Sequence, residues 1–163
     1  LTALRRAPNS LAYHVTYAVI KEACDKFEAE YKVTLSDEQQ RALRAFLDEK
    51  VAIVTGGPGT GKTTVLNAFL KLLEGLGVED YYLAAPTGKA AKRIAETCSV
   101  ETYTLHRLLG IGKQDGCAFD GDNPLPCKVM IVDESTMVDV QLMAALTDAL
   151  KANAHLVLIG DVD

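Results

Sequence analysis

No apolar run in this 163-residue sequence approaches the roughly 20 residues that a membrane-spanning helix requires. Nor does the chain open with the charged, apolar and small-residue succession of a secretory signal. Cys-x-x-Cys spacing is also lacking. Cys24, Cys98, Cys117 and Cys127 stand apart, which argues against a zinc site or thioredoxin-like chemistry and for reduced thiols in a cytoplasmic protein. The one pair an oxidised sample would favour, Cys117 with Cys127, flanks a loop rich in Gly, Asp and Pro. There is no excess of positive charge. A net charge of −5 gives no global pull toward nucleic acid, although Lys89, Lys92, Arg93, Arg107 and Lys113 gather in one stretch and leave room for a local basic face. Internal repeats and low-complexity segments are missing as well. The length is one domain's worth, and both ends read as cut. The chain begins at Leu1 and stops at Asp163 just after an apolar strand signal, so a piece of a larger protein is expected.

What is present is a phosphate-binding pattern. Gly56-Gly57-Pro58-Gly59-Thr60-Gly61-Lys62-Thr63 follows the apolar run Val51–Val54 and satisfies the P-loop spacing at every specified position. Glycines let the backbone curl so that several N–H groups face one phosphate, and the helix behind them adds its positive end. Gly57, Pro58, Gly59, Thr60, Gly61, Lys62, Thr63 and Thr64 are therefore the expected nucleotide cradle. Lys62 reaches the outer phosphates of ATP, and the Thr63 hydroxyl ligates Mg²⁺.

Around this loop the chain changes character. Pro8-Asn9-Ser10 reads as a helix start, and Leu11, Val15, Val19, Ala23, Phe27 and Tyr31 recur every four residues, predicting an amphipathic helix of about five turns. Ser36-Asp37-Glu38-Gln39 is a capping box opening a second helix, with Ala42, Leu43, Phe46 and Leu47 on its inner face. From residue 51 short apolar runs (Val51–Val54, Tyr81–Ala85, Val129–Val132, Leu156–Ile159) alternate with helix signals (Thr63–Leu73, Gly88–Cys98, Val140–Ala149). Nearly continuous apolar runs are what parallel strands covered on both faces require. The expected architecture is an α/β P-loop domain, with Gly110–Pro126 as a surface loop.

A second chemical signal is Val132-Asp133-Glu134. A buried strand ending in two acids puts carboxylates at the C-terminal edge of the sheet, where such folds bind ligands. Asp133 is placed to hold Mg²⁺, directly or through water, opposite Thr63. Glu134 is the candidate general base that polarises the attacking water, so Lys62, Asp133 and Glu134 form the expected catalytic set.

Taken in order, Gly56–Thr63, Ala85-Pro86-Thr87-Gly88-Lys89-Ala90-Ala91, Thr104-Leu105-His106-Arg107-Leu108-Leu109-Gly110, Val132-Asp133-Glu134-Ser135 and Ile159-Gly160-Asp161 resemble superfamily 1 helicases. They are most similar to the RecD-like branch, the 5′→3′ translocating group related to the exodeoxyribonuclease V alpha subunit. The resemblance covers residue 33 to the end. It implies a RecA-like motor domain over 35–163 behind a helical segment over 1–34. It implies that Gln39 reads the adenine edge, although Gln39 is also explained by the capping box and Gln40 is an equal candidate. It implies single-stranded DNA contacts at Thr87, Lys89, His106 and Arg107, and a γ-phosphate sensor at Asp161 on a strand inserted between the P-loop strand and the Asp-Glu strand. For Lys92 and Arg93 a solvated surface role is the expectation. His14 and His155 carry no expected role.

The resulting expectation is the first motor domain of an ATP-dependent DNA helicase, using ATP and Mg²⁺ and binding single-stranded DNA. Its partner is a C-terminal RecA-like domain carrying an arginine finger, no membrane is involved, and turnover without that domain is slow. A nucleotide-dependent DNA-binding switch without unwinding is the alternative. A small-molecule kinase fits less well, because it needs neither Pro-Thr-Gly-Lys nor Thr-x-His-Arg.

Overall fold

The apolar runs and helix signals assemble, in the computed structural model, into a five-stranded sheet with helices on both faces. The structure describes residues 17–112 and 118–162. Helices α1 (Tyr17–Tyr31) and α2 (Asp37–Asp48) lead into β1 (Val51–Thr55), α3 (Lys62–Gly75), β2 (Tyr81–Ala85) and α4 (Gly88–Cys98). There follow β3 (Thr102–Thr104), α5 (Leu105–Leu109), β4 (Val129–Val132), a 3₁₀ turn (Ser135–Met137), α6 (Val140–Asp148) and β5 (His155–Gly160). All strands are parallel, in the order β1-β5-β4-β2-β3. β5 thus lies between the P-loop strand and the Asp-Glu strand, with Thr55 opposite Gly160 and Val132 opposite Leu158.

Alternation along the strands builds two cores. Val129 and Ile131 of β4 face a cluster completed by Leu43, Phe46, Phe69 and Ile94, whereas Met130 and Val132 face one completed by Leu105 and Leu146. β4 and β5 are buried at every residue, as their unbroken apolar sequences require. β1 departs from the expectation of cover on both faces. It is one of the two edge strands, and Ile53 stays 62% exposed.

The helix start expected at Pro8-Asn9-Ser10, with Leu11 and Val15, lies outside the described residues. The inner stripe of α1 is Ile20, Cys24 and Phe27, with Val19 and Ala23 only half-buried and Tyr31 exposed. A strict four-residue repeat rotates about 40° per step around a helix of 3.6 residues per turn, so it drifts off any fixed face. α2 carries both halves of the capping box: Gln39 N–H donates to Ser36 Oγ at 3.2 Å, and Ser36 N–H donates to Gln39 Oε1 at 2.9 Å. β3 and α5 had no strand or helix signal read for them, since three and five residues are too few to display a period. In the long loop, Leu125 is fully buried and Asn123 Nδ2 donates to the Ala118 carbonyl at 2.8 Å. The expected excursion is therefore pinned to the body at its far end, while Lys113 and Cys117 lie outside the described residues. Cys24, Cys98 and Cys127 are free thiols, and burial pushes Cys98 and Cys127 up to about 11.

His155 opens β5 in full burial. Its Nδ1–H donates to the Glu49 carbonyl at 3.2 Å, and its Nε2 has no partner among the described residues. Burial, reinforced by nearby Lys50, lowers its pKa from 6.5 to about 4. The unfolded chain therefore takes up this proton first as pH falls. The neutral ring's contribution is intact above pH 6.5 and lost progressively down to about pH 4, by about 3 kcal/mol at most. Urea midpoints measured across that window should fall less steeply for His155→Leu than for the wild type. Parallel slopes would show that the carboxylates alone set the acid sensitivity.

Candidate nucleotide site and its basic edge

The P-loop is held by its own backbone and by β5. Gly56 N–H donates to the Gly160 carbonyl at 3.3 Å, and the Thr60 hydroxyl closes the turn on the Gly57 carbonyl at 2.9 Å. Gly59 and Gly61 adopt left-handed backbone, at φ 77° and 83°. A side chain at Gly61 would also collide with the Gln39 amide. Gly61 is the N-cap of α3 and offers no side-chain cap, so the positive end of that helix is left open to an anion.

Lys62 folds back over this cradle. Its Nζ donates to the carbonyls of Gly56 at 2.6 Å and Gly57 at 2.8 Å, and pairs with Asp161 Oδ1 at 2.6 Å. An ammonium has three donors, and here all three have an oxygen. These are the oxygens that a phosphate would replace or join, so the residues fit a nucleotide. Asp161, expected as a γ-phosphate sensor, is placed by β5 directly on that ammonium.

Gln39 and Gln40 are separated by the fold. Gln39 Nε2 reaches the Thr60 carbonyl at 3.4 Å, at the rim of a cavity of about 160 Å³ bounded also by Ser36, Val54 and Lys62. Gln40 Nε2 turns to the Leu35 carbonyl at 3.3 Å. The amide at the cradle is thus that of Gln39. A larger groove of about 680 Å³, among Tyr31, Tyr81, Tyr82 and Tyr103, is lined by none of the P-loop residues.

The two acids end β4 in different settings. Asp133 is 8% exposed and accepts the Glu134 N–H at 2.9 Å. Burial raises its pKa, opposed by that hydrogen bond and by the charges of Arg93 and Lys62. A carboxylate kept from water with little hydrogen bonding fits a hard cation. Among the described residues no cluster of three or more His, Cys, Asp or Glu could hold a metal by itself. A Mg²⁺ at Thr63 and Asp133 would therefore complete its shell with phosphate and water oxygens. Glu134 has left-handed backbone at φ 54°, ψ 36°, which turns its side chain off the strand line. Its Oε1 lies 3.7 Å from an Arg93 guanidinium nitrogen. Gly160 lets β5 pass close to the following turn, since a Cβ there would sit 2.9 Å from Ser135 Oγ and 3.0 Å from Thr136 Cγ2.

Thr87 and Thr104 cap α4 and α5. Each hydroxyl oxygen accepts a backbone N–H, from Ala90 and Arg107 respectively, at 3.2 Å. Because Ala85 pairs with Thr104 across β2 and β3, both caps rise from neighbouring strand ends. Lys89, His106 and Arg107 are exposed there, forming one basic edge. Arg93, read as solvated surface, is 70% exposed, and it also faces Glu134. Lys92 pairs with Glu96 in its own helix, at 3.9 Å.

A protein-family profile described as an AAA domain matches residues 39–163. The chain is 42% identical over 151 residues to the RecBCD enzyme subunit RecD of Mycobacterium tuberculosis, covering 78% of this chain and 26% of that one. This chain belongs to the AAA-domain family, in its RecD-like branch. It is 43% identical over 129 residues to the ATP-dependent RecD2 DNA helicase of Deinococcus radiodurans, covering 79% of this chain and 18% of that one. The RecD-like chain thus spans about a quarter or less of the length of these relatives. Among solved structures it is similar to the Pif1 helicase from Candida albicans, at TM-score 0.58 and 27% identity over 79% of this chain and 33% of that one. The structure of Bacteroides Pif1 bound to ssDNA matches at TM-score 0.56 and 26% identity, over 79% and 32%. The P-loop α/β fold read from the sequence is therefore that of its relatives.

Proposed function

We propose that this AAA domain is the first RecA-like motor domain of an ATP-dependent DNA helicase that translocates 5′→3′ on single-stranded DNA. The observation that carries the reading is the Lys62 ammonium, held on three oxygens inside a glycine cradle beside Asp133 and Glu134. In this reading Gly57, Pro58, Gly59, Thr60, Gly61 and Thr64 wrap the phosphates, and Gln39 borders the base. Thr63 and Asp133 hold Mg²⁺, which when bound neutralises phosphate charge. Glu134 takes a proton from the attacking water, and Lys62 offsets charge gathering on the phosphoryl oxygens. A second RecA-like domain, for which the greater length of the relatives leaves room, supplies an arginine finger. ATP hydrolysis by the complete protein should rise on adding single-stranded DNA. Hydrolysis indifferent to DNA would favour another P-loop enzyme.

The basic edge gives a separate test. Thr87 retains its hydroxyl proton for a phosphate oxygen, Lys89 and Arg107 add charge and His106 adds a ring N–H, so binding should be weak, salt-sensitive and indifferent to sequence. Log affinity for a labelled oligonucleotide should fall with log salt by about 0.7 for each phosphate neutralised. Lys89→Ala and Arg107→Ala should each weaken binding and make that slope shallower. If anisotropy shows both variants keeping the wild-type affinity and slope, the DNA face lies elsewhere.

A further inference from the structure

The Arg93–Glu134 pair joins the two halves of this site. Arg93 lies on α4, the helix that Thr87 caps at the basic edge, and Glu134 ends the core strand that carries the acids. The two come within 3.7 Å, with the Glu134 side chain 25% exposed and that of Arg93 70% exposed. The guanidinium is therefore open to solvent on one side and to the carboxylate on the other. Lys89 stands four residues earlier on the same helix, so the two cations are neighbours one turn apart. Lys89 is exposed and has no ion-pair partner among the described residues. The other charges near the acids are Lys62 from α3 and Asp133 itself.

We propose that Arg93 is a positioning residue that restrains Glu134 until a DNA phosphate takes over its guanidinium. A strand phosphate docked on Lys89 lies within one helical turn of Arg93. An Arg guanidinium pairs with two oxygens of a phosphate as well as with the two of a carboxylate, through parallel N–H groups. Exchange of partner leaves the Glu134 carboxylate free to accept a proton from water. It also ties hydrolysis to occupancy of the DNA edge without moving the sheet. α4 keeps its place during such an exchange, because Ala91 and Ile94 are buried in the core and Ala90 and Cys98 pack against it. The inference rests on the reading of Glu134 as general base and of α4 as a DNA contact.

The test compares ATP hydrolysis by the complete protein carrying this domain, without DNA and with saturating oligo-dT, for wild type, Arg93→Ala, Arg93→Lys and Glu134→Gln. Loss of an exposed ion pair of ordinary strength should raise the DNA-free rate of Arg93→Ala about two- to fivefold. Its rate at saturating DNA should stay at the wild-type value, so the stimulation ratio falls by the same factor. Arg93→Lys, which keeps a charge, should restore part of the ratio, and the urea midpoint should not move. An unchanged ratio, or a fall in both rates, overturns the inference. Glu134→Gln separates the levels. If it hydrolyses ATP within tenfold of the wild-type rate, the general-base reading itself fails. If it is inactive while the Arg93→Ala ratio is unchanged, only the Arg93 link fails.

Discussion

Lys62→Ala is expected to weaken Mg-ATP binding about a hundredfold, the scale of losing charge-assisted hydrogen bonds from one ammonium. Among the described residues the side chain is the only cation placed within the cradle, on the Gly56 and Gly57 carbonyls and Asp161. Its removal has a second consequence. Asp161 loses the charge it faces at 2.6 Å and becomes a bare carboxylate beside the incoming phosphates. Asp161→Ala supplies the contrast. It removes a competitor for the ammonium, so nucleotide affinity should hold or improve, whereas Lys62→Ala should lose it. Isothermal calorimetry on the three proteins distinguishes these directions. Equal affinity for wild type and Lys62→Ala would remove the lysine from the binding account while leaving the glycine loop in it.

Features encoded by neighbouring residues were legible in the sequence, and those created by distant pairing were not. Ser36 and Gln39 satisfy each other's backbone three residues apart, so the α2 start could be read directly. Thr87 likewise fixed the α4 start, and the expected bounds Gly88–Cys98 are those observed. The cradle was readable because its geometry belongs to the backbone and is demanded by glycines at fixed spacing. Ile53 was misjudged because an apolar run carries no mark of whether its strand lies at the centre or the edge. That depends on strand order, which β5 settles only at the end of the chain. Arg93 escaped for a similar reason. Its partner Glu134 is brought near by the β2–β4 pairing, and nothing local to α4 distinguishes it from Lys92, which pairs with Glu96. The choice between Gln39 and Gln40 also needed the fold, since their amides diverge to Thr60 and Leu35.

Glu134→Gln should leave nucleotide binding near wild type and reduce hydrolysis by the complete protein by about 10²–10⁴, the usual contribution of a positioned general base. Glutamine keeps the size of the side chain and can hold the same left-handed backbone at φ 54°, so the strand end and the following turn have no reason to move. The binding residues Lys62 and Asp133 are untouched, and so is the Asp161 carboxylate on Lys62. An amide, however, takes no proton from water. The same substitution cancels the ion pair with Arg93, and its separate effect is small. A partly exposed pair at 3.7 Å affects the rate by a few-fold at most, far less than loss of the base. The two effects also have opposite signs, since freeing a competent carboxylate would raise the rate while replacing it lowers the rate. Single-turnover hydrolysis beside calorimetric affinity separates them. A rate within tenfold of wild type would mean that another group receives the proton. Asp133, buried with its pKa raised, would then be the next carboxyl to test, because a metal ligand and a base cannot both be served by one ionised oxygen pair without cost to binding.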